Sequence, residues 1–236
     1  MQFPPEVFQL SDYALRLKVS KRGEKEREFI MVANPWWAPW ALNRIIEPLM
    51  LNLRIQTPEL AGMKAGDRAL DVCCGTGALA LHYARMGIIA AGIDLNPRVI
   101  EVAENKRKKQ GLYNISFQTA NALDLPFEDN LFDYASIAMS LHEKERVDRD
   151  RIISEMKRAV KKEGSLVFID YKVPLPRIPI SYTIKIIEFF AGREHNRYFK
   201  DYIEQGGLDG LLKKNHLHEE KRGELGPLSI IKTPNA

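Results

Sequence analysis

The chain has 236 residues, 45% hydrophobic and 28% charged, a globular balance that can bury a full core and suits one α/β domain with extra segments. The formal net charge is +4, from 35 Lys and Arg against 31 Asp and Glu. This small excess argues against a nucleic-acid partner, because its one dense run, Lys106-Arg107-Lys108-Lys109, falls at a helix end, where cations suit the dipole.

Residues 1–60 read as mainly helical and hold all three tryptophans, in Asn34-Pro35-Trp36-Trp37-Ala38-Pro39-Trp40. Met1 to Leu10 carries two prolines and a glutamate, unlike a signal peptide. Arg68 to Val72 reads as a strand. Gly75 to Met86 reads as a helix with Leu79, Tyr83 and Met86 on one face and Gly87 as its stop. Ile88 to Ile93 is a continuous apolar strand. Asn96 then caps a helix with Pro97 at its first position, running to Gly111. Asn114 to Thr119 is a third strand and Phe132 to Met139 a fourth. Arg149 to Val160 is a helix, Gly164 its end, and Ser165 to Tyr171 a fifth strand. Strands alternating with helices in this way predict a parallel sheet covered on both faces.

Residues 174–215 begin with Pro174, Pro176 and Pro179 and then look helical. The apolar stretch Ile178 to Phe190 is interrupted by Ser181, Lys185 and Glu188, and no run approaches the ~18 residues of a membrane span. That stretch could touch a membrane or lipid-like substrate. Packing on the core is preferred, because Ile186-Ile187 and Phe189-Phe190 spread over more than one face. His216 to Lys232 reads as two strands around Gly223 to Pro227, a closing hairpin. The two cysteines, Cys73 and Cys74, are adjacent and have no third partner. They form no disulfide framework, fit a reducing cytoplasm and make a poor metal site, so no metal is expected.

The chemistry concentrates where the first strand meets the first helix, at Leu70-Asp71-Val72-Cys73-Cys74-Gly75-Thr76-Gly77-Ala78. Glycines let backbone approach a ligand or take positive φ, and ligands of such sheets bind beyond the carboxyl ends of the strands. Asp71 could there meet an ammonium group. Asp94 follows Gly75 by 19 positions and ends the second strand, placed to accept both hydroxyls of a ribose. Taken alone, Gly75 to Ala80 also satisfies G-x-G-x-x-A, so an NAD(P)-dependent oxidoreductase stays open at this point.

The block Leu70 to Gly77 resembles the first motif of class I S-adenosylmethionine-dependent methyltransferases, nearest the ubiquinone/menaquinone-biosynthesis group. Gly92 to Pro97 resembles that family's ribose segment. Ala120 to Phe127 with Phe132-Asp133 resembles its adenine segment, Glu155 to Val160 with Gly164 its late helix and turn, and Gly206-Gly207-Leu208 with the hairpin its C-terminal end. The resemblance implies a Rossmann-like seven-stranded mixed sheet within 61–236, capped by helices from 1–60 and 174–215. It implies S-adenosylmethionine as cofactor and S-adenosylhomocysteine as product. By resemblance, Asp71 would hold the methionine ammonium, and Gly75 and Gly77 would let backbone pass close to the cofactor. Asp94 would bind the ribose, Leu95 would lie against the adenine, Asn121 and Ala122 would meet its edge, and Ser140 would sit near the methionine. Two departures stand out: Cys73 occupies the position of the family's usual first glycine, and Asn121 that of its usual aspartate. A non-catalytic binding protein that keeps the fold is therefore a further alternative.

For the acceptor, His142 is the candidate base or contact, against a local hydrogen-bonding role. His195 and Tyr198, within Glu194 to Phe199, resemble an acceptor-covering segment, and Trp37 and Trp40 could wall an apolar acceptor. A small-molecule or lipid-like acceptor is expected, with its identity and the oligomeric state left open.

Overall fold

The computed structural model describes residues 38–190 and 192–235, with side chains from Leu49 onward apart from Ile187 and Phe190. Short apolar runs, buried on both faces in the central strands, define the sheet. β1 (Arg68–Val72), β2 (Ile89–Asp94), β3 (Ile115–Thr119), β4 (Phe132–Ala138) and β5 (Val160–Tyr171) run parallel. A hairpin of β6 (Lys221–Leu225) and β7 (Leu228–Pro234) completes a seven-stranded mixed sheet in the order β3-β2-β1-β4-β5-β7-β6, with β7 antiparallel to β5. The strand order reverses between β1 and β4, the crevice where open α/β sheets bind ligands.

Alternation along each strand decides which helices cover it. Leu166 and Phe168 face one side, with α4 (Arg146–Ala159) and α7 (Gly207–Lys214). There Ile152, Ile153, Met156, Leu208 and Leu211 close over Leu70, Val72 and Ile137. Val167 and Ile169 face the other side, with α1 (Ala38–Ala61), α2 (Ala78–Arg85) and α3 (Pro97–Lys109), where Leu53, Leu79, Tyr83 and Ala103 close over Ala69, Ala90 and Phe117. Between β5 and β6, α5 (Pro179–Phe190) and α6 (Arg193–Glu204) precede α7. On α5, Ser181, Ile184 and Glu188 are buried while Tyr182, Ile186 and Phe189 are exposed. The apolar stretch expected to pack on the core therefore does so along one stripe only.

Local chemistry accounts for most boundaries. Asn96 caps α3, its side-chain oxygen accepting from the Arg98 amide at 3.0 Å. Gly164 was expected to end a helix. Instead α4 stops at Ala159 and Gly164 lies inside β5, where a Cβ would come within 2.5 Å of the Asp133 carbonyl. The hairpin turns at Gly226-Pro227, and Gly223 sits within β6, where its missing side chain leaves room for Leu60 of α1. The described residues belong to one compact unit. Trp37 lies outside the described residues, as does the side chain of Trp40. No helix among the described residues is long and apolar enough to cross a membrane.

Candidate active site

The loop from β1 to α2 is built by three residues with positive φ: Cys73 at 56°, Gly75 at 53° and Gly77 at 73°. The Cys74 amide donates to the Ile93 carbonyl at 2.8 Å, so the loop leaves the sheet still paired to β2. Lys106 of α3 holds its far side, donating to the Thr76 hydroxyl at 2.8 Å. That lysine belongs to the basic run expected to be merely solvated.

The two glycines serve different purposes. A Cβ on Gly75 would meet nothing within 4 Å, so this residue borders open space. A Cβ on Gly77 would lie 2.5 Å from the Phe117 ring, and one on Gly92 2.6 Å from it. Both positions are bare so that Phe117 can seat between the loop and β2.

Asp94, at the tip of β2, organises the surrounding backbone. Its Oδ2 accepts from the Gly75 amide at 2.9 Å and its Oδ1 from the Asn96 amide at 2.9 Å. The neighbouring Leu95 is 67% exposed, an apolar face beside the carboxylate. Asp71 pairs in register with Gly92, two residues short of Asp94, and is buried toward α2. It accepts from the Ala80 amide at 3.2 Å and the Ser136 hydroxyl at 3.3 Å. Burial outweighs these bonds and pushes its carboxyl up to about 7. A desolvated acid with so little compensation suits an incoming cation.

Neither cysteine favours its thiolate form. Burial pushes the Cys73 thiol up to about 12 against the pull of Lys144, and Cys74 is raised likewise. Past β3, Asn121 is exposed and its side-chain oxygen accepts from the Leu123 amide at 3.0 Å, while Ala122 is buried beside it. Arg158 of α4 clamps this loop, donating to the Leu125 and Phe127 carbonyls at 2.9 and 2.7 Å. Glu155 accepts from the Leu125 amide at 2.9 Å. The late-helix segment thus shapes the loop after β3.

Beyond β4, Ser140 is buried and donates to the Ala138 carbonyl at 3.3 Å. The short 3-10 turn Leu141–Glu143 follows. Asp170, near the end of β5, fastens it: Oδ2 accepts from the Leu141 and His142 amides at 3.1 and 3.2 Å, and Oδ1 meets His142 Nδ1 at 2.7 Å. Arg149 completes the anchor from α4, donating to the Leu141 carbonyl at 2.9 Å, Asp201 at 2.8 Å and the Tyr198 carbonyl at 2.7 Å. Burial disfavours a charged His142 ring, yet Asp170, Glu188 and Glu143 together hold its pKa above the ordinary value.

His142 and His195 come together, with ring centroids 5.9 Å apart. His195 Nε2 pairs with Glu188 of α5, which also accepts from the Tyr171 hydroxyl at 3.1 Å. Tyr198 is not in this group. Its hydroxyl donates to Glu145 at 2.8 Å and it lines a separate cleft of about 580 Å³ with Arg146, Asp150 and Lys214. Phe199, its neighbour, is the aromatic that packs edge-on against Tyr171 and His142.

Sequence reasoning missed Asp170, Glu188 and Arg149. A signal for the first existed: Arg68-Ala69-Leu70-Asp71, Gly92-Ile93-Asp94 and Phe168-Ile169-Asp170 all end an apolar run on an aspartate. Glu188 had none, since one acid in an apolar helix reads as its solvent face.

A family model described as a methyltransferase domain matches residues 69–164, which run from β1 into β5. Among curated proteins, the chain is similar to demethylmenaquinone methyltransferase of Bacillus subtilis, 33% identical over 179 residues that cover 71% of this chain and 75% of that protein. It is also similar to 2-phytyl-1,4-naphtoquinone methyltransferase of Trichormus variabilis, 39% identical over 48% of this chain and 50% of that one. Two solved structures share the fold. A SAM-dependent methyltransferase from Aquifex aeolicus has TM-score 0.60 and 21% identity, covering 83% of this chain and 97% of its own. A geranyl diphosphate C-methyltransferase from Streptomyces coelicolor, solved with S-adenosyl-L-homocysteine, has TM-score 0.62 and 15% identity, covering 91% of each chain. Sequence kinship across most of the Bacillus relative, joined to this strand order and this loop, decides between the two cofactors that the glycines alone left open: the chain belongs to the class I S-adenosylmethionine-dependent methyltransferases.

Proposed function

We propose that this methyltransferase moves a methyl group from S-adenosylmethionine to a quinone-like small molecule, with Asp71, Gly75 and Asp94 at the centre of the cofactor cradle. The observation that carries the cradle is the open space over Gly75 beside the Asp94 carboxylate, flanked by the exposed Leu95. Asp94 would take the ribose hydroxyls, Leu95 the adenine face, and Asn121 and Ala122 the adenine edge. The Asn121 amide nitrogen can donate to a ring nitrogen, while its oxygen already serves Leu123. Asp71, short of a cation, would hold the ammonium through water, and Ser140 and Cys73 would border the amino-acid end.

When bound, the sulfonium supplies an electrophilic methyl. The protein then needs mainly to align the acceptor and exclude water. The acceptor side would be walled by His142, His195 and Tyr171, each held by a buried carboxylate. Tyr171 stays protonated, since burial and then Glu188 and Asp170 raise its phenol well above its usual value. Helices α1, α5 and α6 would cap the site within a cytoplasmic enzyme. Support for a quinone-like ring comes from the Bacillus and Trichormus relatives, whose names specify demethylmenaquinone and 2-phytyl-1,4-naphtoquinone.

Incubation with S-adenosylmethionine and a reduced naphthoquinone bearing an open ring position tests this. The expected product is heavier by one methyl, with S-adenosylhomocysteine in equal amount. Tight S-adenosylhomocysteine binding without product from any quinol would leave a binding protein and defeat the catalytic reading.

A further inference from the structure

We propose that His142, Glu143 and His195 form a binding site for one divalent transition-metal ion on the acceptor side of the cleft. Donor atoms of these three residues lie within 4.8 Å of one another, a span that a single ion at ~2.0–2.2 Å from each ligand can bridge after small side-chain shifts. They come from two separate parts of the chain, the turn after β4 and the first turn of α6.

What distinguishes this cluster from a chance meeting of polar residues is the second carboxylate behind each imidazole. His142 Nδ1 is 2.7 Å from Asp170, which leaves Nε2 as the free donor. His195 Nε2 pairs with Glu188, which leaves Nδ1 facing Glu143 at 3.9 Å. Ligating histidines are oriented in this manner, their other ring nitrogen held by a carboxylate that fixes the tautomer and raises basicity. Asp170 and Glu188 are buried, and neither forms a salt bridge with lysine or arginine among the described residues. His142 Nε2 stands 3.7 Å from Glu188 Oε1, a place that favours a positive charge, whether a proton or a metal ion. Glu143 keeps one oxygen on Lys144 at 3.0 Å and turns the other toward His195.

Two imidazoles and one carboxylate select Zn²⁺, Fe²⁺, Co²⁺ or Mn²⁺ over Mg²⁺ and Ca²⁺, which prefer all-oxygen shells. Three protein ligands also leave positions open, as sites that bind a further molecule do. Joined to the function proposed above, and resting on it for this step alone, an open position would take a ring oxygen of the acceptor. His142 would then be a ligand, where the sequence suggested a base.

The test needs neither acceptor nor cofactor, so its failure is separate from failure of the methyl-transfer reading. The full chain is dialysed against Zn²⁺ alone, and in parallel against Co²⁺, with bound metal measured by elemental analysis and the Co²⁺ site by its visible absorption. One ion per chain is expected. Glu143→Gln and His195→Gln should lower affinity at least about tenfold, and Asp170→Asn about 10–100-fold through His142. His218→Ala, at an exposed histidine elsewhere, should bind as the native chain does. Glu143→Gln changes a partly exposed, near-isosteric side chain and keeps the result readable if a histidine variant fails to fold. Zn²⁺ retained equally by Glu143→Gln and the native chain, or no ion bound by the native chain, would overturn the proposal.

Discussion

Replacing Asp71 with asparagine should stabilise the free protein while weakening its hold on the cofactor. The carboxyl rises from 3.8 to about 7 through burial, and at about 1.4 kcal/mol per unit its charged form is disfavoured by about 4 kcal/mol in the folded chain. The folded pKa is the higher one, so the folded state holds the proton more tightly. Stability is therefore lost as pH climbs from about 4 to about 7, and the loss is complete above that range. Asparagine carries no charge but forfeits the charge-assisted bonds to the Ala80 amide and Ser136. The net gain at pH 8 should be about 1–3 kcal/mol. Urea unfolding without cofactor at pH 5 and pH 8 measures it, and the advantage of the variant should be larger at pH 8. Calorimetry with S-adenosylhomocysteine should show affinity falling by about tenfold or more. A variant less stable than the native chain at pH 8, or one that binds S-adenosylhomocysteine unchanged, would refute the view that Asp71 is a destabilised acid kept for a ligand's cation.

The glycines of the loop give a contrasting pair. Gly75→Ala meets only the cost of a positive φ, about 1 kcal/mol, but its methyl enters the open space, so folding should survive and S-adenosylhomocysteine titration should show weakened binding. Gly77→Ala drives a methyl into Phe117 and should lower the thermal midpoint by the equivalent of about 1–3 kcal/mol. Cys73→Gly relieves the positive φ at that residue and loses some packing, so denaturant unfolding should move by less than about 1 kcal/mol, with cofactor affinity retained. Arg149→Met removes the buried guanidinium that ties the Leu141 and Tyr198 carbonyls to Asp201. A loss of about 3–5 kcal/mol in urea unfolding is expected.

The strands and the cofactor loop were legible because each is a local pattern: an apolar run, a glycine where φ must be positive, an asparagine before proline. Gly164 misled for the same reason. A glycine after a helix looks like its stop, while the actual demand on it comes from Asp133, 31 positions earlier in the chain. Gly77 is similar, because its need for a bare Cα is set by Phe117 on β3, a contact no spacing rule contains. The acceptor side was the least legible part. It joins the turn after β4 to α5 and α6, and the pairing of His195 with Glu188 depends on how those helices dock. Tyr198 and Phe199 are adjacent in sequence and face different surroundings, a difference set by the helix rotation that only the fold supplies.

Counting lone pairs separates the strand-end aspartates by purpose. A carboxylate offers about four acceptor positions. Asp170 fills all of them, with the amides of Leu141, His142 and Tyr171 and the ring of His142, and so has none left for a ligand. Asp94 spends two, on Gly75 and Asn96, and keeps two, the number a vicinal diol requires. Asp71 also spends two, on Ala80 and Ser136, but does so inside the sheet, where burial raises its pKa. The three acids share a residue type and lie near strand ends, yet one has its acceptor positions filled by protein, one keeps two open at the strand tip and one is desolvated inside the sheet. The backbone amides brought to each acid make the difference: three at Asp170, two of them from the turn after the neighbouring β4, two at Asp94, one of them from the loop after β1, and one at Asp71, from α2.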